Sequence, residues 1–205
     1  MTRIVAGRAG GRRLVVPVSG TRPTSDRVRE ALFSSLESLL SGLGGKQLLD
    51  LYAGTGAVGL EAWSRGAARV VLVESAAVAV KALRANVASV RSSRDADAGG
   101  ASQPVTGGVG KIDVVAARAE RAAADLAPSS FDVVFADPPY DLPTEQVAGV
   151  LATLAQRGVP REGAVVVVER PTRGVWTWPL GYRALHDRRY GDATLHYGRY
   201  EAASL

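Results

Sequence analysis

The tetrapeptide Asp137-Pro138-Pro139-Tyr140 closes a short apolar run, Val133 to Ala136, within the stretch Phe131 to Tyr140. Its residue types suit one kind of chemistry. The Asp137 carboxylate and the Pro138 carbonyl are two hydrogen-bond acceptors. Both prolines have φ fixed at about −65°, so those acceptors are aimed before any ligand arrives. Tyr140 adds a flat face on which a base can stack. Two acceptors and a ring fit a planar exocyclic amine, as on adenine, cytosine or guanine. Asp-Pro alone would mark only the turn that ends a strand. The full tetrapeptide behind a buried strand, with a glycine-rich loop upstream, makes Asp137, Pro138, Pro139 and Tyr140 the candidate catalytic residues.

That upstream loop is Gly54-Thr55-Gly56-Ala57-Val58-Gly59, with Glu74 near the spacing of a ribose-binding acid. By itself the pattern is compatible with NAD, FAD or S-adenosylmethionine. Asp50 tips the choice. A carboxylate just ahead of the loop repels a pyrophosphate, whereas it suits the ammonium and sulfonium of S-adenosylmethionine, which carries no phosphate. The glycines let the backbone approach a cofactor closely, and the helix that follows can face its carboxylate. The candidate cofactor surface is Asp50, Tyr52, Ala53, Gly54, Thr55, Gly56, Glu74, Ser75, Arg118 and Ala119, the last two through their backbone beside an adenine. A helix cap at Asp50 and a solvated strand end at Glu74 are the structural alternatives.

Charge marks a second surface. The chain carries a formal net charge of +5. Residues 1–30 hold Arg3, Arg8, Arg12, Arg13, Arg22, Arg27 and Arg29 against only Asp26 and Glu30, and the remainder is balanced. An arginine-loaded arm on a neutral body is the footprint of a phosphate-backbone binder. Arg3, Arg8, Arg12, Arg13, Arg22 and Arg27 are the candidate nucleic-acid contacts. Arg27 and Arg29 fall in the first turn of a helix, where the macrodipole disfavours cations, which suggests service to a partner. Arg183, Arg188 and Arg189 with Tyr182 and Tyr190 either extend this surface or form a solvated hairpin.

The composition narrows the class. With 205 residues, 46% hydrophobic and 22% charged, the chain suits one ordinary soluble domain. It has no cysteine and only His186 and His196, so neither disulfides nor a histidine-built metal site is expected. The absence of a signal-like start or a membrane-length apolar run leads to an expectation of cytoplasmic residence.

The elements that must position these residues follow from periodicity and turn signals. Two short strands, Arg3–Ala6 and Arg13–Val18, make a small hairpin-like start that must dock on the body. Thr24 or Ser25 can cap a helix with Val28, Ala31, Leu32, Leu36, Leu39 and Leu40 on one face. Strands are predicted at Gln47–Leu51, Arg69–Val73, Ile112–Val115, Val133–Ala136 and Ala164–Val168. The helices between them include Ala76 to about Val90 and Glu120–Leu126. The stretch Ser92–Gly110 is read as a flexible insertion. Tyr182–Arg189 and Ala193–Tyr200 flank the turn Gly191-Asp192. Five β/α units and a hairpin give a seven-stranded α/β sheet, mostly parallel with an antiparallel C-terminal edge. Residues 1–24 are read as the binding arm and 25–205 as the main domain.

Thr21 to Phe33, Asp50 to Gly59 and Asp137 to Tyr140, in that order, resemble the bacterial 16S rRNA guanine-N2 methyltransferase D family. Arg3-Ile4-Val5-Ala6-Gly7 and Gly11-Arg12-Arg13-Leu14 also fit its N-terminal pattern. The resemblance implies a Rossmann-like class I methyltransferase fold, S-adenosylmethionine as donor, and no metal. It implies methylation of N2 of one guanine, 966, in 16S rRNA of the small subunit or a late particle; a monomer is expected. It carries Asp50, Gly54, Gly56 and Glu74 to the cofactor and Asp137 to Tyr140 to catalysis. The long Ser92–Gly110 connection departs from the family pattern. Rival readings are an amino-methyltransferase on DNA adenine or another RNA, an NAD-dependent oxidoreductase, and a non-catalytic RNA-binding assembly factor.

Overall fold

Buried apolar strands, several with an acid just past the apolar run, form the centre of the molecule. The computed structural model describes residues 2–17, 26–97 and 110–202. Along the chain, α1 (Asp26–Leu40) leads into β1 (Gln47–Asp50), α2 (Ala57–Ser64), β2 (Arg69–Glu74) and α3 (Ala77–Asp97). Then come β3 (Lys111–Ala116), α4 (Ala119–Asp125), β4 (Phe131–Ala136), α5 (Thr144–Gln156), β5 (Pro160–Pro171), β6 (Tyr182–Tyr190) and β7 (Ala193–Tyr200). Among the described residues the strands form one seven-stranded sheet in the order β3-β2-β1-β4-β5-β7-β6. The pairs from β3 through β5 are parallel, and β7 runs antiparallel to both β5 and β6.

The central strands are apolar on both faces because helices cover both. Leu48, Val70, Leu72, Val133, Phe135, Val165 and Val167 pack with α1, α2 and α3 on one face. Leu49, Val71, Val73, Val134, Ala136, Val166 and Val168 pack with α4 and α5 on the other. The strand order reverses between β1 and β4, and the crevice at the carboxyl ends of those two strands is where such sheets bind ligands. Side chains alternate along a strand. Asp50, Glu74 and Glu169 therefore emerge on the α1–α3 face, each as the residue after a buried apolar run.

The N-terminal segment is less strand-like than its sequence suggests. Arg3 and Arg13 form a single antiparallel bridge, supported by Ile4 N–H to Arg12 O at 2.9 Å and Leu14 N–H to Thr2 O at 2.9 Å. It does not extend into two strands because its other backbone groups bond to the body. The buried Glu61 carboxylate of α2 accepts the Val5 and Ala6 N–H groups at 2.6 and 2.9 Å. The Ser64 hydroxyl accepts from Ala9 N–H at 2.9 Å. Gly7 lies so close to the Ser64 carbonyl that a Cβ there would sit 2.1 Å from its oxygen.

Helix α3 runs to Asp97, past the predicted end near Val90 and into the stretch expected to be an insertion. Once nucleated, a helix needs little to continue through residues of polar type. Strand β5 is also longer than predicted at both ends. Glu169, Arg170 and Pro171 pair with Leu195, Thr194 and Ala193 of β7, so the antiparallel partner prolongs the strand where β4 has already turned away. Val18, the capping candidates Thr24 and Ser25, Arg22, and the rest of the expected insertion lie outside the described residues. Among the described residues no helix is long and apolar enough to cross a membrane.

Candidate active site

Asp50 ends β1 next to Phe135 of β4, so the loop after β1 and the tetrapeptide after β4 leave the sheet side by side. The Leu51 N–H donates to Phe135 O at 2.9 Å and Ala53 N–H donates to Val73 O at 2.9 Å, which keeps the start of the glycine loop in line with the sheet. Gly54 and Gly56 have φ of 54° and 84°, in the left-handed region that favours glycine. A Cβ on Gly56 would come within 2.5 Å of Leu83, whereas one on Gly54 would meet nothing within 4 Å. The loop is closed towards α3 and open at Gly54. Gly59, one turn on, packs against β2, where a Cβ would lie 2.1 Å from Leu72.

Two acids hold this loop. Asp50 Oδ2 accepts the Gly59 N–H at 3.2 Å, and Asp50 is only 1% exposed. Its other oxygen, Oδ1, is buried with no hydrogen bond of normal geometry. Burial pushes the Asp50 carboxyl up to about 8. The Gly59 N–H pulls it down, the nearby Asp137 and Glu74 raise it further, and the Tyr52 N–H eases it slightly. Glu74 Oε2 accepts the Gly54 N–H at 2.9 Å, and Oε1 accepts the Ser75 and Ala76 N–H groups, both at 2.7 Å.

The structure therefore brings Asp50, Ala53 to Gly56, Glu74 and Ser75 together. Tyr52 is in the loop by its backbone, but its ring packs with the α4–α5 face of the core. Arg118 precedes α4, and Ala117 N–H donates to Glu74 O at 3.1 Å, which ties that turn to the end of β2. Ala119 is buried. These residues fit a cationic, phosphate-free ligand. A buried acid whose pKa is raised to about 8 gives up its proton to a cation placed beside it, and the open side of Gly54 leaves room for close backbone contact.

On the β4 side, Asp137 is half-buried, Pro138 buried and Pro139 exposed. Tyr140 is 45% exposed, and its hydroxyl donates to Glu169 Oε1 at 3.3 Å. Glu169 was not among the sequence candidates. It ends the run Val165–Val168 of β5 as Glu74 ends that of β2, and that repeated pattern was the available signal. Glu74, Asp50, Asp137 and Glu169 thus lie at the carboxyl ends of neighbouring strands β2, β1, β4 and β5.

The basic arm is only partly a free surface. Arg3, Arg8, Arg13 and Arg27 are exposed, and Arg3 and Arg13 with Gly11 and Asp26 line a groove of about 420 Å³. Arg3 Nε lies 3.4 Å from Asp26, and the Arg8 guanidinium lies over the Trp63 ring at 4.8 Å. Arg12 is half-buried, its Nη1 donating to Ser89 O at 2.7 Å. Arg29 is not a partner-facing cation. It is fully buried, donates to Arg3 O, and pairs with Asp26 at 2.8 Å. Placed one turn from Asp26, it joins α1 to the N-terminal segment. Tyr182 likewise is a core residue, its hydroxyl donating to Leu151 O at 2.9 Å, whereas Arg183, Arg188 and Arg189 are exposed.

The sheet order and its alternation with helices are those of Rossmann-like class I methyltransferases. The Escherichia coli protein yhhF superposes with a TM-score of 0.77 at 29% identity, covering 98% of both chains. Ribosomal RNA small subunit methyltransferase D of Haemophilus influenzae is 31% identical over 190 residues, 92% of this chain and 89% of that protein. The protein of that name from Escherichia coli is 46% identical over 90 residues, a match that spans 43% of this chain and 44% of the relative. A family model described as Conserved hypothetical protein 95 matches residues 2–199. On that near-complete match, the chain belongs to the Conserved hypothetical protein 95 family, the family of the ribosomal RNA small subunit methyltransferases D.

Proposed function

We propose that this protein methylates the exocyclic N2 of a guanine in 16S rRNA, using S-adenosylmethionine, in the bacterial cytoplasm. The observation that carries the reading is the meeting of two unlike acids at the strand switch point. Asp50 is deeply buried under the glycine loop, and Asp137 sits at the proline corner of the adjacent strand, near enough to raise the Asp50 pKa. The first suits a cationic cofactor, the second an amine.

In this reading Asp50, Gly54, Gly56 and Glu74 hold the cofactor, with the backbone of Tyr52, Ala53, Thr55, Ser75, Arg118 and Ala119 completing its surface. S-adenosylmethionine, when bound, supplies an electrophilic methyl group. The chain's own residues prepare the amine. A guanine N2 lone pair is delocalised into the ring and is a poor nucleophile. Asp137 and the Pro138 carbonyl accept its two N–H groups, favouring a pyramidal nitrogen and stabilising the positive charge that develops there. Pro139 stiffens the corner. The surplus proton is held at the Asp137 carboxylate before it passes to water. Stacking on Tyr140 contributes roughly 1–3 kcal/mol, which offsets the few kcal/mol of unstacking the base.

Residues 1–24 then form an RNA-binding arm and 25–205 the methyltransferase domain, acting as a monomer on the small subunit or a late particle. Arg3, Arg8, Arg13, Arg22 and Arg27 would contact phosphates, with Arg12 fixed to the body by Ser89. The family resemblance implies guanine 966 as the target. The test is methyl transfer from labelled S-adenosylmethionine to small-subunit particles, to naked rRNA and to DNA, followed by nucleoside mapping. N2-methylguanine at one 16S position, absent with Asp137→Asn, is the expected result. N6-methyladenine in DNA, or unchanged methylation by Asp137→Asn, would overturn it.

A further inference from the structure

One buried amide touches both surfaces. Asn86 of α3 is 1% exposed and lies on the inward stripe of that helix between Leu83 and Val87. Its Nδ2 donates to the Thr55 carbonyl of the glycine loop at 2.9 Å and to the Val15 carbonyl of the N-terminal segment at 3.0 Å. Its Oδ1 accepts the Val15 N–H at 2.8 Å. Three bonds in a dry site fix the amide's orientation, because each oxygen and nitrogen faces its complement. One turn along α3, Ser89 accepts from Arg12 of the same segment. Glu61 and Ser64, which also hold that segment, lie in α2 beyond the loop.

We propose that Asn86 is a positioning residue that couples the glycine loop to the N-terminal segment, so that filling the cofactor site orders the arm and the two ligands bind cooperatively. This rests on the reading that a cofactor seats at Gly54 and Gly56. A shift of the Thr55 carbonyl leaves a buried donor on Asn86 unsatisfied unless the amide turns, and turning it breaks the paired bonds to Val15. The loop and the segment therefore settle together. By linkage the effect is reciprocal, so a bound RNA also tightens the cofactor site.

The experiment is amide hydrogen exchange of the full-length protein with and without S-adenosylhomocysteine, read at Ile4, Gly11 and Leu14. Their N–H groups bond within the N-terminal segment to Arg12 O, Ile4 O and Thr2 O. Saturating S-adenosylhomocysteine should slow their exchange about fivefold or more in the wild type, the lower end of ordinary coupling. In Asn86→Asp, which keeps an acceptor for Val15 N–H but sets a carboxylate against two carbonyls, the slowing should fall below about twofold. Asn86→Leu, of similar volume and no polar atoms, serves the same purpose if Asn86→Asp does not fold. Val87→Ala, which thins the same helix face without touching the amide, should keep the full effect. Binding of S-adenosylhomocysteine with no change at these amides in the wild type would overturn the coupling. Equal slowing in a folded Asn86 variant would remove Asn86 from it. No binding at all to the wild type would instead bring down the cofactor reading beneath it.

Discussion

The Gly54 N–H donates to Glu74 Oε2 at 2.9 Å, joining the loop after β1 to the end of β2. With Oε1 engaged by Ser75 and Ala76, this carboxylate shapes the loop and the next turn at once. Glu74→Gln keeps the shape but loses charge and half its acceptors. We expect S-adenosylhomocysteine to bind roughly tenfold more weakly, and weaker still to Glu74→Ala, since hydrogen bonds to a charged group contribute about 1.5–3 kcal/mol. Isothermal titration of both variants checks this.

Asp50 gives the folded protein a pH signature. Its carboxyl has an ordinary value of 3.8 and is raised to about 8 in the fold, chiefly by burial. From about pH 4 to 8 the folded chain therefore holds a proton the unfolded chain has released, and stability falls as pH rises through that window. Asp50→Asn should remove the fall. Its melting temperature should exceed that of the wild type by a margin that grows between pH 5 and 8, reaching roughly 5 °C or more. A cationic ligand lowers the Asp50 pKa, so binding at pH 7 should release protons. A binding enthalpy that varies with buffer ionisation would register this.

Tyr140 presents a ring and a hydroxyl to different partners. The hydroxyl bonds Glu169, while the residue as a whole is 45% exposed. If stacking is its main task, Tyr140→Phe should keep kcat/KM within about fivefold. Tyr140→Ala should lose roughly 10- to 100-fold, the equivalent of one stacked base. Methylation kinetics on small-subunit particles would decide, and equal losses in the two variants would shift the role to the hydroxyl.

Arg29 is a buried cation that ties α1 to the Arg3 backbone. In Arg29→Met the Arg3 carbonyl loses its donor, while Asp26, one-third exposed, keeps Arg3 Nε at 3.4 Å. Losing hydrogen bonds from a charged group costs about 1.5–3 kcal/mol. Urea unfolding should show a loss of that order, with faster exchange at Ile4 and Leu14.

Phosphate contacts should be visible as salt dependence. Arg13 and Arg27 are exposed. Replacing either with Ala should reduce the slope of log affinity against log salt for RNA by about 0.7. Arg12→Ala should also loosen the arm, because its guanidinium holds Ser89.

Much of this fold was legible. The apolar runs at Val70–Val73, Val133–Ala136 and Val165–Val168 announce strands covered on both faces, and the Gly191-Asp192 turn correctly marks the hairpin between β6 and β7. Periodicity failed where burial stops speaking. Helix α3 continues through Arg91 to Asp97 without an apolar residue in its stripe beyond Val90, and β5 is prolonged by a partner far along the chain. Arg29 looked like a surface charge because its type alone says exposure, whereas its position one turn from Asp26 allowed a buried pair.

The sequence by itself determined which chemical groups stand at the ends of the strands: Asp50, Glu74, the tetrapeptide from Asp137 to Tyr140, and the glycines between. Those choices are local, set by residue type, turn chemistry and periods of two and 3.6. Only the tertiary structure decided that β1 and β4 are neighbours, that Glu169 joins Tyr140, and that Asn86 lies between Thr55 and Val15. Such pairings depend on contacts across tens of residues, and no local pattern encodes which of many compatible partners the packed core brings within hydrogen-bond reach.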